Sequence, residues 1–360
     1  MKNILYIGTY NGIIGGIERY IQNSAILLRK NNYIVNYLYT TNGGKDRELF
    51  AQAFDFIAEF DSQNPAIKAA DIIIIHNILP TSILACLPKE KTYFFAHDHN
   101  IYCQRHHYYT PINRNNCHIK RNKLLCFLCS LGRNNPPPLK EYQKFPAIVL
   151  SSFMKENLEK NNFNKVIKLP AFITCGSSNE NKIMPNQSLR ILFLGQLIRG
   201  KGCDLMLETL SKVNIPFTCT IAGSGNDRPM LEKLVNKYKL NDKVKFTGFV
   251  SNPETLWEDC DVFFFPIRWQ EPFGLVCLEA LSHKKAVIAF DLGGVREYLS
   301  NECGRLIPPK DTTSAAKELT NLYKNPSLLK DLGNNGYKIA QEKFSCENFL
   351  QEFSKLFREN

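Results

Sequence analysis

Short apolar runs alternate along this chain with longer segments whose apolar positions recur every three or four residues. Residues 3–8 read as a buried strand, and residues 11–16 hold three glycines. Ile17, Tyr20, Ile21, Ser24, Leu27 and Leu28 then keep helical spacing up to Lys30. Further strands are expected at 33–39, 71–76, 92–96, 147–151 and 165–169. A polar stretch at 177–188 reads as an inter-domain linker. The alternation then restarts, with strands expected at 190–194, 217–222, 244–247, 261–266, 286–290 and 305–307. Helices are expected at 202–213, 227–239, 253–259, 273–282 and 312–324, and residues 326–360 read as helices without a strand. Strands alternating with helices imply βαβ units and parallel sheets. The pattern predicts two doubly wound α/β domains of similar size with a ligand cleft between them.

Composition narrows the class. The chain has 360 residues, 44% apolar and 22% charged, which excludes disorder, collagen and coiled coil as whole-chain descriptions. No stretch approaches the ~18 uninterrupted apolar residues of a membrane span. There are 45 Lys and Arg against 34 Asp and Glu, a formal charge of +11, which suits an anionic partner. The first apolar run is broken by Gly8 with no small-residue cleavage site after it, so no signal peptide is expected. A cytoplasmic chain is expected to keep its twelve cysteines as thiols or metal ligands.

The chemistry concentrates in the second half. Two glycine turns, 195–202 and 222–225, each follow a strand and precede a helix, where unpaired backbone N–H groups suit a phosphate. Lys201 stands where a cation would complement it. Residues 266–280 read PIRWQEPFGLVCLEA after an apolar strand. With Pro272 in the first turn, Glu271 is expected at the helix start and Glu279 two turns on, ~12 Å away along the axis. That is the length of a sugar nucleotide from ribose to hexose, with the N–H groups of Phe273, Gly274 and Leu275 facing its diphosphate. An ordinary amphipathic helix with two solvated glutamates is the plain alternative. Asp259-Cys-Asp261 has the form of a metal-binding D-x-D, but at a helix end and strand start it reads as structural.

The EPFGLVCLEA segment resembles the E-x7-E signature of retaining family 4 glycosyltransferases. Its companions occur in order: Gly15-Gly16-Ile-Glu-Arg19, Ala96-His97-Asp98, Gly195 to Gly202, Ile221 to Gly225, Phe246-Thr-Gly-Phe249 and Gly293-Gly-Val-Arg-Glu297. The resemblance implies a GT-B fold, two Rossmann-like domains facing across a cleft. An acceptor-side domain would cover residues 1–180, a donor-binding domain 181–343, and a C-terminal helix at 344–360 would cross back onto the first domain. It implies transfer of a hexose-type sugar from a UDP- or GDP-linked donor to a hydroxyl of a saccharide or lipid-linked acceptor, with retention of configuration. By the family's habit this serves bacterial surface polysaccharide or glycolipid synthesis, and catalysis requires no cofactor. Lys201 would bind the diphosphate, Glu271 the donor sugar and Glu279 the ribose. Gly248, Phe249 and Val250 would hold the base by main-chain contacts. Gly15 and Gly16 would let the first loop approach the phosphate, and His97 would touch the transferred sugar. One position departs from the family: Gln196 stands where an arginine is common, and Arg199 is the candidate replacement cation. A nucleotide-sugar epimerase of similar fold is the enzyme alternative. A dehydrogenase is disfavoured because Gly223-Ser-Gly225 lacks a third glycine in register.

Residues 97–140 form a cysteine-rich basic insertion. Cys103, Cys117, Cys126 and Cys129 are candidate ligands of a structural zinc, with His118 in reserve. No acidic residue lies between Asp98 and Glu141, while Arg105, Arg114, Lys120, Arg121, Lys123, Arg133 and Lys140 do. With interleaved Tyr, Phe and Leu, this surface suits anionic lipid headgroups at the inner face of the plasma membrane. A zinc-stapled nucleic-acid protein is the non-enzymatic alternative.

Overall fold

The computed structural model describes residues 1–103, 117, 123–129, 139–173, 188–250 and 252–357. Of the linker expected at 177–188, residues 177–187 lie outside the described residues, as do Arg105, Arg114, His118, Lys120, Arg121, Arg133 and the Lys123 side chain. The chain divides into two compact units, Met1–Pro170 with Cys346–Asn360, and Ala171–Ser345.

The first unit holds seven strands: β1 Lys2–Tyr10, β2 Tyr33–Thr41, β3 Phe56–Glu59, β4 Ile72–Ile75, β5 Thr92–Phe95, β6 Ala147–Val149 and β7 Val166–Lys168. They pair in the order β3-β2-β1-β4-β5-β6-β7, all parallel. The four isoleucines of β4 are all buried, as expected for a strand covered on both faces. Helix Gly16–Lys30 buries Tyr20, Ile21, Ala25, Leu27 and Leu28. Burial stabilises each large apolar side chain by about 1.5–3 kcal/mol. The helix is opened by a capping box, in which the Gly15 N–H donates to the Glu18 carboxylate at 2.9 Å. Helix Cys346–Lys355 contributes Phe353, whose ring meets Tyr33 of the same unit.

The second unit holds β8 Leu189–Leu194, β9 Phe217–Ala222, β10 Val244–Gly248, β11 Val262–Phe265, β12 Ala286–Phe290 and β13 Gly304–Ile307. Their order is β10-β9-β8-β11-β12-β13, again parallel. In each sheet the order reverses beside the first strand, which places a crevice at the carboxyl ends of β1 and β4 and of β8 and β11. Asp261 begins β11 by accepting from the backbone N–H of Arg190 at 2.9 Å and pairing with its guanidinium, so the D-x-D residue is structural. No described helix is long and apolar enough to cross a membrane.

Candidate active site

In the second unit the chain leaves β8 through residues 195–202 and leaves β11 through residues 266–274, and these two loops are zipped together. Gly202 adopts a left-handed backbone (φ +71°), and a Cβ there would overlap the Pro266 carbonyl oxygen. A Cβ on Gly200 would overlap the Trp269 ring. The Arg268 N–H donates to the Gly200 carbonyl at 2.9 Å. The approach brings Lys201 Nζ to 3.0 Å from Glu271 Oε2, although the two lie 70 residues apart. Both side chains are largely shielded, at 19% and 13% exposure.

Glu271 is held from several sides. Trp269 Nε1–H donates to the same Oε2 at 2.8 Å. The Gly294 N–H donates to the Glu271 carbonyl at 2.7 Å. The Lys201 ammonium sits 5.0 Å from the centre of the Trp269 ring, within cation–π range. The helix begins at Leu275 rather than at Phe273, with Gly274 at φ +86° as its left-handed N-cap. Glu271 therefore precedes the helix, and helical rise sets only the second half of its separation from Glu279. The Tyr298 hydroxyl lies 3.0 and 3.1 Å from the carbonyl oxygens of Phe273 and Gly274, fixing this turn. Burial pushes the nearby Cys277 thiol up, and the charges of Glu271, Lys201 and Glu279 all reach it. Glu279 stands in helix Leu275–Ser282, two residues after Cys277.

Arg199 Nη1 lies 2.7 Å from Asp204 Oδ2, Arg268 pairs with the same carboxylate, and Gln196 is exposed. The glycines of the second turn serve packing. A Cβ on Gly223 would overlap the Gly195 carbonyl oxygen, and the Leu197 N–H donates to Ser224 at 2.9 Å. That turn braces the first one. The Gly223 N–H also donates to the Gly248 carbonyl at 2.7 Å. This fixes the loop that carries Phe249, which is 45% exposed, and half-buried Val250.

In the first unit, Gly15 is the extended N-cap of helix Gly16–Lys30, and a Cβ on Gly16 would meet nothing within 4 Å. Packing does not demand a glycine there. His97 follows β5 and lines a recess with Ile17, His76, Asn77, Asp98 and Asn100. Cys103, Cys117, Cys126 and Cys129 are half-buried. Among the described residues no group of three or more His, Cys, Asp or Glu side chains could hold a metal ion, and most of the chain between Cys103 and Cys126 lies outside them.

Sequence reasoning missed Trp269, Gly200, Asp204 and His76 as contributors. Asp204 stands in the first helical turn after a loop bearing Arg199, a pairing that spacing alone suggests. Trp269 carries no such signal, because its contact depends on the loop folding back.

Residues 178–339 match the model of the family described as Glycosyl transferases group 1. An uncharacterized glycosyltransferase of Methanocaldococcus jannaschii is 31% identical over 173 residues, 47% of this chain and 44% of its own. The O-antigen biosynthesis glycosyltransferase WclY of Escherichia coli is 28% identical over 49% of each chain. The chain thus spans under half the length of these two curated relatives. The crystal structure of Anabaena HepE in complex with UDP and glucose covers 100% of both chains with a TM-score of 0.76 at 15% identity. Two Rossmann-like α/β domains with parallel sheets, the fold of the GT-B glycosyltransferases, make up this chain, and its second half matches the glycosyl transferases group 1 family.

Proposed function

We propose that this protein is a retaining glycosyltransferase that moves a hexose-type sugar from a nucleoside diphosphate donor to a hydroxyl of a saccharide or lipid-linked acceptor. The observation that carries the reading is the convergence of Lys201 and Glu271 at one loop junction on the carboxyl edge of a parallel sheet. Open α/β sheets bind ligands at that edge. The HepE complex with UDP and glucose, on the same fold, supports a UDP-linked donor.

In this reading Lys201 stabilises the charge that develops on the departing diphosphate, with the N–H groups before helix Leu275–Ser282 assisting. Trp269 and Lys201 both engage Oε2 of Glu271, so the lone pairs of Oε1 serve donor-sugar hydroxyls. Glu279 takes the ribose, Gly248 to Val250 hold the base, and His97 touches the transferred sugar. On the front-side route the acceptor oxygen bonds to the anomeric carbon while the bond to the phosphate oxygen breaks. That phosphate oxygen takes the acceptor proton. No protein nucleophile and no metal enters the step. Product anomeric configuration, read by NMR, tests retention, and an inverted product would refute it.

The acceptor side is read as lying near anionic membrane. Leu124, Phe127 and Leu128 of helix Lys123–Cys129 are 68%, 61% and 51% exposed, within a sequence region that is basic throughout. Surface polysaccharide or glycolipid synthesis fits such a position, and the O-antigen role named for WclY supports it.

A further inference from the structure

We propose that His76 is a positioning residue for His97. Its buried ring fixes which nitrogen of His97 carries the proton, so that His97 presents an Nδ1–H donor to the recess. His76 follows β4, and its backbone N–H donates to the Ile7 carbonyl at 2.9 Å. Its ring is 2% exposed, edge-on to Tyr6 at 4.4 Å and stacked on Phe95 at 5.5 Å. His97 stacks on the same Phe95 at 4.3 Å. Between the two histidines, His76 Nδ1 and His97 Nε2 are 2.9 Å apart, a distance that holds one shared proton.

Two arrangements are available, and the burial of His76 separates them. If His97 donates from Nε2, neutral His76 must carry its own proton on Nε2. That atom is buried and has no hydrogen-bond partner among the described residues. An orphaned buried N–H is rarer in proteins than an under-satisfied acceptor. If His76 donates from Nδ1 instead, its Nε2 is an unprotonated nitrogen, and His97 carries its proton on Nδ1. Both rings are held neutral by burial, His97 at about 3 and His76 well below the usual histidine value. The other titratable neighbours do not supply a competing charge at low pH. Burial raises Asp98 to about 6, and it raises the Tyr6 and Tyr20 phenols as well. A neutral N–H donor at His97 suits the oxygen of a sugar hydroxyl. The sugar as ligand rests on the proposed glycosyltransferase reading, whereas the tautomer does not.

The test uses the full chain labelled with 15N-histidine. Long-range proton–nitrogen NMR is expected to show His97 protonated on Nδ1 and His76 on Nδ1. A His97 signal protonated on Nε2 would overturn the proposal. His76→Phe fills the same space without the donor. It is expected to mix the His97 tautomers and lower kcat roughly 10–100-fold, with nucleoside diphosphate affinity unchanged. His76→Asn, which places an N–H near the original Nδ1, is expected to restore most of the rate. An unchanged His97 spectrum and kcat in His76→Phe would refute the role. Should that variant fail to fold, the wild-type spectrum still decides. A wild-type chain that transfers no sugar would overturn the enzyme reading while leaving the tautomer to be judged by the spectrum.

Discussion

Lys201 and Trp269 both engage Oε2 of Glu271, and each contact has a separable consequence. Glu271→Gln keeps the shape but removes the charge that Lys201 and Trp269 meet at Oε2. Initial rates at saturating donor are expected to fall ~10²–10³-fold. Trp269→Phe removes the N–H together with part of the ring that packs against Gly200 and Lys201. A hydrogen bond to a charged group is lost, and the rate is expected to drop ~10–100-fold, whereas an unchanged rate would remove Trp269 from the site. Of these residues the sequence shows Glu271 and Lys201 through the pattern around them. Trp269 and His76 were illegible because their roles depend on which ring a folded loop or neighbouring strand brings alongside. Buried histidines also set a pH dependence. His76 and His97 stay neutral in the folded chain but take up protons once unfolded, so their contribution is full above about 6.5 and is lost as pH falls toward about 3. Asp98, raised to about 6, acts in the opposite sense: its contribution is present at low pH and lost as pH rises through that value. Glu18, also raised by burial, and His283, also lowered, add one group of each sense, so histidines still outnumber carboxyls and the melting temperature is expected to fall between about pH 6.5 and 5, with a shallower slope in His76→Phe.

At the scale of elements, the loop pair 199–202 and 266–271 decides the geometry. Gly202→Ala forces a Cβ into the Pro266 carbonyl from a left-handed backbone. A left-handed non-glycine residue alone costs about 1–2 kcal/mol, and the overlap adds to it. The melting temperature is expected to drop by at least about 4 °C, with nucleotide affinity falling alongside, as calorimetry would show. Phe249→Ala checks the base loop. If main-chain groups hold the base, affinity is nearly unchanged, and a large loss would assign the ring to stacking. The apolar runs marked twelve of the thirteen strands. β3 was missed because Phe56–Glu59 is a four-residue edge strand with an exposed Phe56 and no buried residue, too short for its pattern to register. The start of helix Leu275–Ser282 was misplaced because Pro272 is a helix-opening residue, while the left-handed Gly274 delays the helix. Glycines in both turns signalled a phosphate site, yet those at 223 and 225 are required by backbone packing, which residue type alone cannot distinguish.

For the molecule as a whole, the alternation of strands and helices was enough to reveal two parallel α/β sheets, since each strand must return in the same direction. The +11 charge and the basic insertion lead to a further expectation. Co-sedimentation with acidic vesicles should weaken when Lys120, Arg121 and Lys123 are all replaced by Gln, and undiminished binding would refute membrane docking there. If Lys201 supplies the cation, as proposed, transfer persists in EDTA, whereas metal-dependent transfer would contradict that assignment. The most direct test of the central claim is calorimetric titration of UDP- and GDP-sugars into wild type and Lys201→Ala. The account predicts that one sugar nucleotide binds the wild type with a 1:1 stoichiometry and that Lys201→Ala binds it at least ~10-fold more weakly, the loss of about one charge-assisted contact. Equal affinity in the two proteins, or no binding of any sugar nucleotide, would contradict it.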